Sequence, residues 1–234
     1  MKKLYMLLLA VLPLLAVAQD KIMQDDNVVV RVVPEFHSVR VNSAINLYLS
    51  KGNETKVAVS TSDKSLIDNL TTIVNDGVLY IGFKNKINTG KLKLNAYVSY
   101  ETLRYLQASG ATDVKFIEPL EQEEFELSAS GASDVTINLK VKTLTVKIAG
   151  ASDVKVTGKA ESAKLAVSGA SNFKGLGLQT ADAMISTTGA SDVSIQVNKS
   201  IYVAASGASS VKWKGDANDK EIRTSGASSV KKVN

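Results

Sequence analysis

A motif of the form Gly-Ala-Ser/Thr-Asp-Val recurs seven times along this 234-residue chain, with all five positions kept in four copies and Gly-Ala-Ser in the other three. Its glycines are Gly110, Gly131, Gly150, Gly169, Gly189, Gly207 and Gly226, at intervals of 18 to 21 residues. Each glycine is followed by alanine and then by a hydroxyl: Thr112, Ser133, Ser152, Ser171, Ser191, Ser209 and Ser228. A fixed period of this length is the mark of a repeat architecture and outranks any local propensity.

The residues around each glycine set the local structure. Four positions before it stand Leu106, Leu127, Val146, Leu165, Ile185, Val203 and Ile222. Four after it stand Val114, Val135, Val154, Phe173, Val193, Val211 and Val230. Positions two before the glycine and six after it are mostly small or apolar, and the intervening ones are mostly polar. Offsets of two are strand periodicity, with alternate side chains on one face. One strand therefore enters each Gly-Ala-Ser corner and another leaves it; glycine suits the corner because it accepts positive φ. About 19 residues at ~3.3 Å each give a path of roughly 60 Å, one small triangular coil with two clear strands and a variable third side. The length drift falls in that third side, at Lys159 to Ser162 and Asp216 to Lys220. Coils stacked ~4.8 Å apart make a parallel β-solenoid, the seven corners spanning roughly 29 Å. Leucine-rich repeats lack support because no L-x-x-L-x-L pattern occurs, and three propeller blades would be too few to close.

The chain divides into three parts on this reading. Residues 1–18 (MKKLYMLLLAVLPLLAVA) have a basic start, a short apolar run and a small-residue end, the pattern of a cleaved export signal. Residues 19–107 are strand-rich and read as a cap or first irregular coils; residues 108–234 are the regular solenoid, continuous with that part. In the N-terminal part, strands are expected at 28–33, 38–41, 45–49, 56–60, 78–83 and 91–100. A hairpin-type turn is expected at Asn75-Asp76-Gly77, and a short helix at 63–70 capped by Ser62 or Asp63. No later stretch is long and apolar enough to be read as a membrane span. At the far end, either Lys231 and Lys232 blunt the open strand edge or the edge pairs with another chain as a homo-oligomer.

Composition removes several function classes. No Cys is present, which excludes disulfides, thiolate metal sites and cysteine nucleophiles. His37 is the single histidine, read as a packed or surface residue, so histidine triads have nothing to draw on elsewhere. The formal charge of +5 falls to +3 without Lys2 and Lys3, no warrant for nucleic-acid binding. With four Arg and no converging acid-base cluster outside the rows, enzymatic function is not expected, and no cofactor is. Phe116, Phe173 and Trp213 fall on inward rows and read as core. Glu121 to Glu126 reads as a solvated acidic face.

One row invites a sharper reading. Asp113, Asp134, Asp153 and Asp192, completed by Asn172, Ser210 and Ser229, would stand one coil apart on an outer face. Stacked carboxylates are candidate cation ligands, since Ca²⁺ takes several oxygens. The simpler reading is charge pairing with the lysine row two residues on, Asp113 with Lys115 and Asp153 with Lys155.

The corners at 109–114, 130–135, 149–154 and 188–193, with the export signal and the strand-rich start, resemble the putative auto-transporter adhesin family with a head GIN domain. The resemblance covers about residues 36–230. It implies a single-stranded right-handed parallel β-helix exported by Bacteroidetes-type bacteria, and it implies no particular ligand. The expected function is an exported, non-enzymatic surface module contacting a protein or glycan of the cell envelope, from periplasm to outer surface. The alternatives are a carbohydrate-active β-helix enzyme, or a periplasmic sensor or assembly module acting through the open edge.

Overall fold

A computed structural model describes residues 27–84 and 92–234; the expected export signal lies outside these residues. The first strands are β1 (Val29–Arg31), β2 (Ser38–Val41), β3 (Ile45–Lys51), β4 (Lys56–Thr61), β5 (Leu70–Asn75), β6 (Val78–Phe83), β7 (Leu94–Tyr100), β8 (Tyr105–Ala108) and β9 (Asp113–Phe116). The rest are β10 (Leu120–Ala129), β11 (Asp134–Ile148), β12 (Asp153–Val167), β13 (Asn172–Thr187), β14 (Asp192–Ala205), β15 (Ser210–Lys214), β16 (Asp219–Thr224) and β17 (Ser229–Lys232). From β8 onward every pairing is parallel and joins one repeat to the next, so the all-β solenoid read from the glycine spacing is the fold.

The corners explain the motif residue by residue. Gly110, Gly131, Gly150, Gly169, Gly189, Gly207 and Gly226 all have φ between 69° and 87°. The following alanine donates its N–H to the glycine carbonyl one coil back, as in Ala151 to Gly131 at 2.7 Å and Ala170 to Gly150 at 2.8 Å. The next hydroxyl is buried and turns back onto its own corner: Ser133 Oγ donates to the Ser130 carbonyl at 2.8 Å, and Ser209 Oγ to that of Ser206 at 2.9 Å. Hydroxyls thus occupy carbonyls that the bend withdraws from the ladder.

The inward rows form one continuous core. Leu106, Leu127, Val146, Leu165, Ile185 and Val203 are each at most 1% exposed, and burying such a side chain contributes about 1.5–3 kcal/mol. Rows adjust to each other in size. Phe173 takes a valine position, and its ring lies where a side chain at Gly175 would stand.

The third side differs from expectation. Strands β11 to β14 run unbroken from corner to corner, straight through Lys159–Ser162. The coil bends without losing its ladder because two successive residues face outward, at Lys142-Thr143, Glu161-Ser162 and Asn198-Lys199. Length drift is absorbed as register shifts between β12 and β13 and between β13 and β14, near Gly175–Gln179. The first and last of these coils open, between β9 and β10 and between β15 and β16.

The N-terminal region adds two coils whose spatial order inverts the chain order. Strands β2 and β3 lie against β8 and β9, while β6 and β7, later in sequence, stack outside β2 and β3, all in parallel. Beyond them the pairing turns antiparallel: β5 with β6, β4 with β7 and β1 with β4. The β5–β6 hairpin turns through Asp76 and Gly77, with φ of 49° and 71°. The short helix is a 3₁₀ turn over Lys64–Asn69, capped by Asp63, which accepts from Ser65 N–H at 3.0 Å. Strand β5 had no distinct signal, being flanked directly by that helix and the turn.

Candidate functional site

The register lines up the candidate carboxylates as expected: Asp113 pairs with Asp134, Asp134 with Asp153, Asp153 with Asn172, and Asn172 with Asp192. They do not converge on a shared point. Asp153 accepts from Asn172 Nδ2 at 2.6 Å and from Lys174 Nζ at 2.5 Å. Asp113 is held by Lys115 at 3.2 Å. The hydrogen bond from Lys174, and then that from Asn172, keeps the Asp153 carboxyl below the ordinary aspartate range. The hydrogen bond to Asp113 likewise raises the Lys115 ammonium. Asp153 therefore pairs with the lysine of the following coil rather than with Lys155 of its own. Among the described residues, no group of three or more His, Asp or Glu side chains could hold a metal ion.

A concavity lies elsewhere, in the bend of the third side. It is a groove of about 570 Å³ that crosses successive coils. Its floor is Val141, Ala160 and Thr180, all buried. One wall is the register row Glu121, Lys140, Lys159 and Gln179; the other carries Glu123, Lys142 and Glu161. Lys142 bridges Glu123 at 2.5 Å, whereas Lys140 and Lys159 stand directly opposite each other across the β11–β12 ladder. A second hollow of about 550 Å³ adjoins it around Arg104, Gln122, Glu124 and Thr143. Gln122 lines both. Polar and charged walls over a small, mostly apolar floor line the groove, alternating in sign along Glu123, Lys142 and Glu161 and placing two lysines side by side along the other wall.

Other sequence readings are placed as follows. The 121–126 run is exposed on its acidic residues but turns Phe125 into the core. There Phe116 makes edge contacts with Tyr100 and Phe125, at ring separations of 6.4 and 6.1 Å. Phe173 and Trp213 are buried, as their rows require. His37 packs over Gly77 and contacts Ser38 Oγ at 2.9 Å. Sequence reasoning missed an aromatic cluster on the N-terminal coils. Tyr48 stacks on Tyr97 at 5.3 Å, and Arg40 lies between Tyr80 and Tyr105 at 5.7 and 5.6 Å. Only the inverted coil order brings these residues together.

Parallel coils closed by stacked glycine corners, with aliphatic rows inside and polar rows outside, define an all-β parallel solenoid. The family model described as "Putative auto-transporter adhesin, head GIN domain" matches residues 35–217, and the chain belongs to that family. A solved "putative adhesin" from Bacteroides fragilis is similar in fold, with a TM-score of 0.81 at 22% identity over 89% of this chain and 98% of that one. A "putative adhesin" from Parabacteroides merdae gives 0.72 at 18% identity, covering 89% and 97%. A "putative lipid binding protein" from Parabacteroides distasonis gives 0.69 at 16% identity, covering 89% and 98%. No curated protein matches the chain significantly. Among the described residues, no helix is long and apolar enough to cross a membrane.

Proposed function

We propose that this protein is an exported, non-enzymatic adhesin-like module that presents the groove of its third side to an extended partner at the cell envelope, a glycan chain or a peptide strand. The observation that carries the reading is the groove itself. It crosses several coils, and across β10, β11 and β12 its wall keeps an unbroken register, so polar groups recur there at the ~4.8 Å coil step. A linear polymer can meet such a surface repeatedly, and each weak contact adds to the last. Rigidity supports the same reading, because strands hydrogen-bonded on both sides lose little freedom on binding. Membership of an adhesin family agrees with it.

The test is a binding screen of the purified chain against glycan and envelope-protein panels, beside the double variant Lys140→Glu/Lys159→Glu. Binding that the variant loses, with an unchanged thermal transition, supports the groove. Release of reducing sugar from any polysaccharide in the panel would overturn the non-enzymatic reading. Fractionation of the native cell tests export.

A further inference from the structure

In the central coils the outer face just after the corner is balanced. The aspartate row and the lysine row two residues on lie side by side, as in Asp113 with Lys115 and Asp153 with Lys174. The last two coils break this pattern. Their aspartate positions hold Ser210 and Ser229, while the lysine positions remain as Lys212 and Lys231, directly opposite each other in the ladder. Lys214 continues the same face two residues beyond Lys212. None of the three makes an ion pair, although eight lysines and arginines elsewhere among the described residues do, and Lys212 and Lys231 are exposed. Like charges directly opposite on neighbouring strands are unfavourable. The chain keeps that repulsion where its own repeat provides the remedy, an aspartate.

We infer that this face of the last two coils is a binding surface for a polyanionic glycan, one carrying sulfate or carboxylate groups, centred on Lys212, Lys214 and Lys231. The lysines form a fixed grid, ~4.8 Å along the stack and ~6.7 Å along the strand, set by a backbone that does not adapt. Around them on the same face stand Ser194, Gln196, Ser210 and Ser229, which offer hydrogen bonds to sugar hydroxyls, and Asp192, opposite Ser210, is the one carboxylate in these ladders. A membrane-surface site would pair its basic residues with an exposed apolar face. Here the neighbours are hydroxyl and amide groups with the Asp192 carboxylate at one edge, polar throughout, which favours the glycan. The inference deepens the adhesin-like reading by naming a ligand class, and it uses a different face from the groove.

The experiment measures binding of the full chain to dextran sulfate and polygalacturonate, with neutral dextran and phosphatidylglycerol vesicles alongside, across a salt series. Two variants remove the charge excess in opposite ways. Lys212→Gln/Lys214→Gln/Lys231→Gln deletes the lysines, and Ser210→Asp/Ser229→Asp restores the aspartate row without touching them. Each is expected to weaken polyanion binding about tenfold or more, three exposed contacts each contributing modestly, and added salt is expected to do the same to the parent. Lys115→Gln, on the balanced part of the same face, is expected to bind like the parent, and the groove variant Lys140→Glu/Lys159→Glu is run beside it to tell the two faces apart. Thermal transitions show that every variant is folded. Equal binding to neutral dextran, binding to vesicles alone, no binding at low salt, or retention by both charge variants would overturn the inference. Loss in the groove variant alone would leave the groove reading standing and remove this one.

Discussion

Ser43 lies directly beneath Gly110: its φ is 74°, and its carbonyl oxygen accepts from Thr112 Oγ1 at 2.9 Å, as the corner glycines of later coils accept from theirs. It is an eighth corner, Ser43-Ala44-Ile45-Asn46-Leu47, in which Asn46 pairs with Asp113 and Leu47 with Val114. A side chain is tolerated there but not higher in the stack. A Cβ on Gly150 would lie 2.5 Å from the Gly131 carbonyl oxygen, which is backbone and cannot swing away. Gly150→Ala is expected to cost more than about 2 kcal/mol, the ~1–2 kcal/mol of a left-handed alanine plus that overlap. Ser43→Gly relieves a similar strain but adds freedom to the unfolded chain, so a gain of about 0.5 kcal/mol is expected. Urea midpoints measure both. A neutral Gly150→Ala would mean that the corners do not stack as described.

Asp153 sets a pH dependence of definite sign. Its carboxyl is held below the ordinary value of 3.8, chiefly by the hydrogen bond from Lys174. A carboxyl depressed in the folded state adds stability above its unfolded value and loses it as pH falls through the folded one. Asp153→Asn is therefore expected to lower stability at neutral pH, by no more than about 1 kcal/mol because the pair is partly exposed. The difference from the parent should close as the solution is acidified below the ordinary aspartate range. Denaturation curves at the two pH values decide it, and a difference that grows on acidification would contradict the pairing.

The partner of Asp153 shows where reading along the chain stops working. The seven glycines and their alternating neighbours announce the coil, because each coil repeats the same local demand: a positive φ, a buried hydroxyl and aliphatic residues inside. Lys155 is two residues from Asp153 and Lys174 is 21, yet the ladder sets Lys174 diagonally beside it. The same limit hid the eighth corner, where serine replaces glycine, and the coil of β6 and β7, which stacks before β2 and β3 although it follows them in sequence. The groove escaped notice for a different reason. Glu121, Lys140 and Lys159 stand at an even 19-residue spacing, but their row lies on the third side, far from the glycine corners that mark the coil, and Gln179 joins it only past a register shift between β12 and β13.

Val154 is fully buried on an inward row between Val135 and Phe173. Val154→Asp would put a carboxylate among aliphatic side chains with no partner. A loss above about 4 kcal/mol is expected, enough to abolish a cooperative transition in circular dichroism. Asp134→Val, on the outer row one coil earlier, is expected to change the midpoint by less than about 1 kcal/mol. Similar losses for the two variants would show that the inward and outward faces are wrongly assigned.

The open end of the stack has its own closure. Trp213 is buried, and two lysines on inward rows cover it: Lys220 at 5.5 Å and Lys232 at 5.2 Å from the ring. Each such contact contributes about 0.5–1 kcal/mol at an exposed site. Their positions matter more than their energy. Lys220 lies in the row of Ile201, and Lys232 in the row of Ile195 and Trp213, so the next coil of an added chain would have to bury both charges. Inward-pointing charge at an edge is a known bar to strand addition. Lys220→Val/Lys232→Val continues the aliphatic rows to the end of the stack and removes the bar. The variant is expected to self-associate more strongly than the parent, read as a mass that rises with concentration in sedimentation or light scattering. Lys231→Val, on the outward row beside Lys232, is expected to leave the mass as it is in the parent. If all three chains behaved alike, the lysines would be incidental and something other than charge would be guarding this edge.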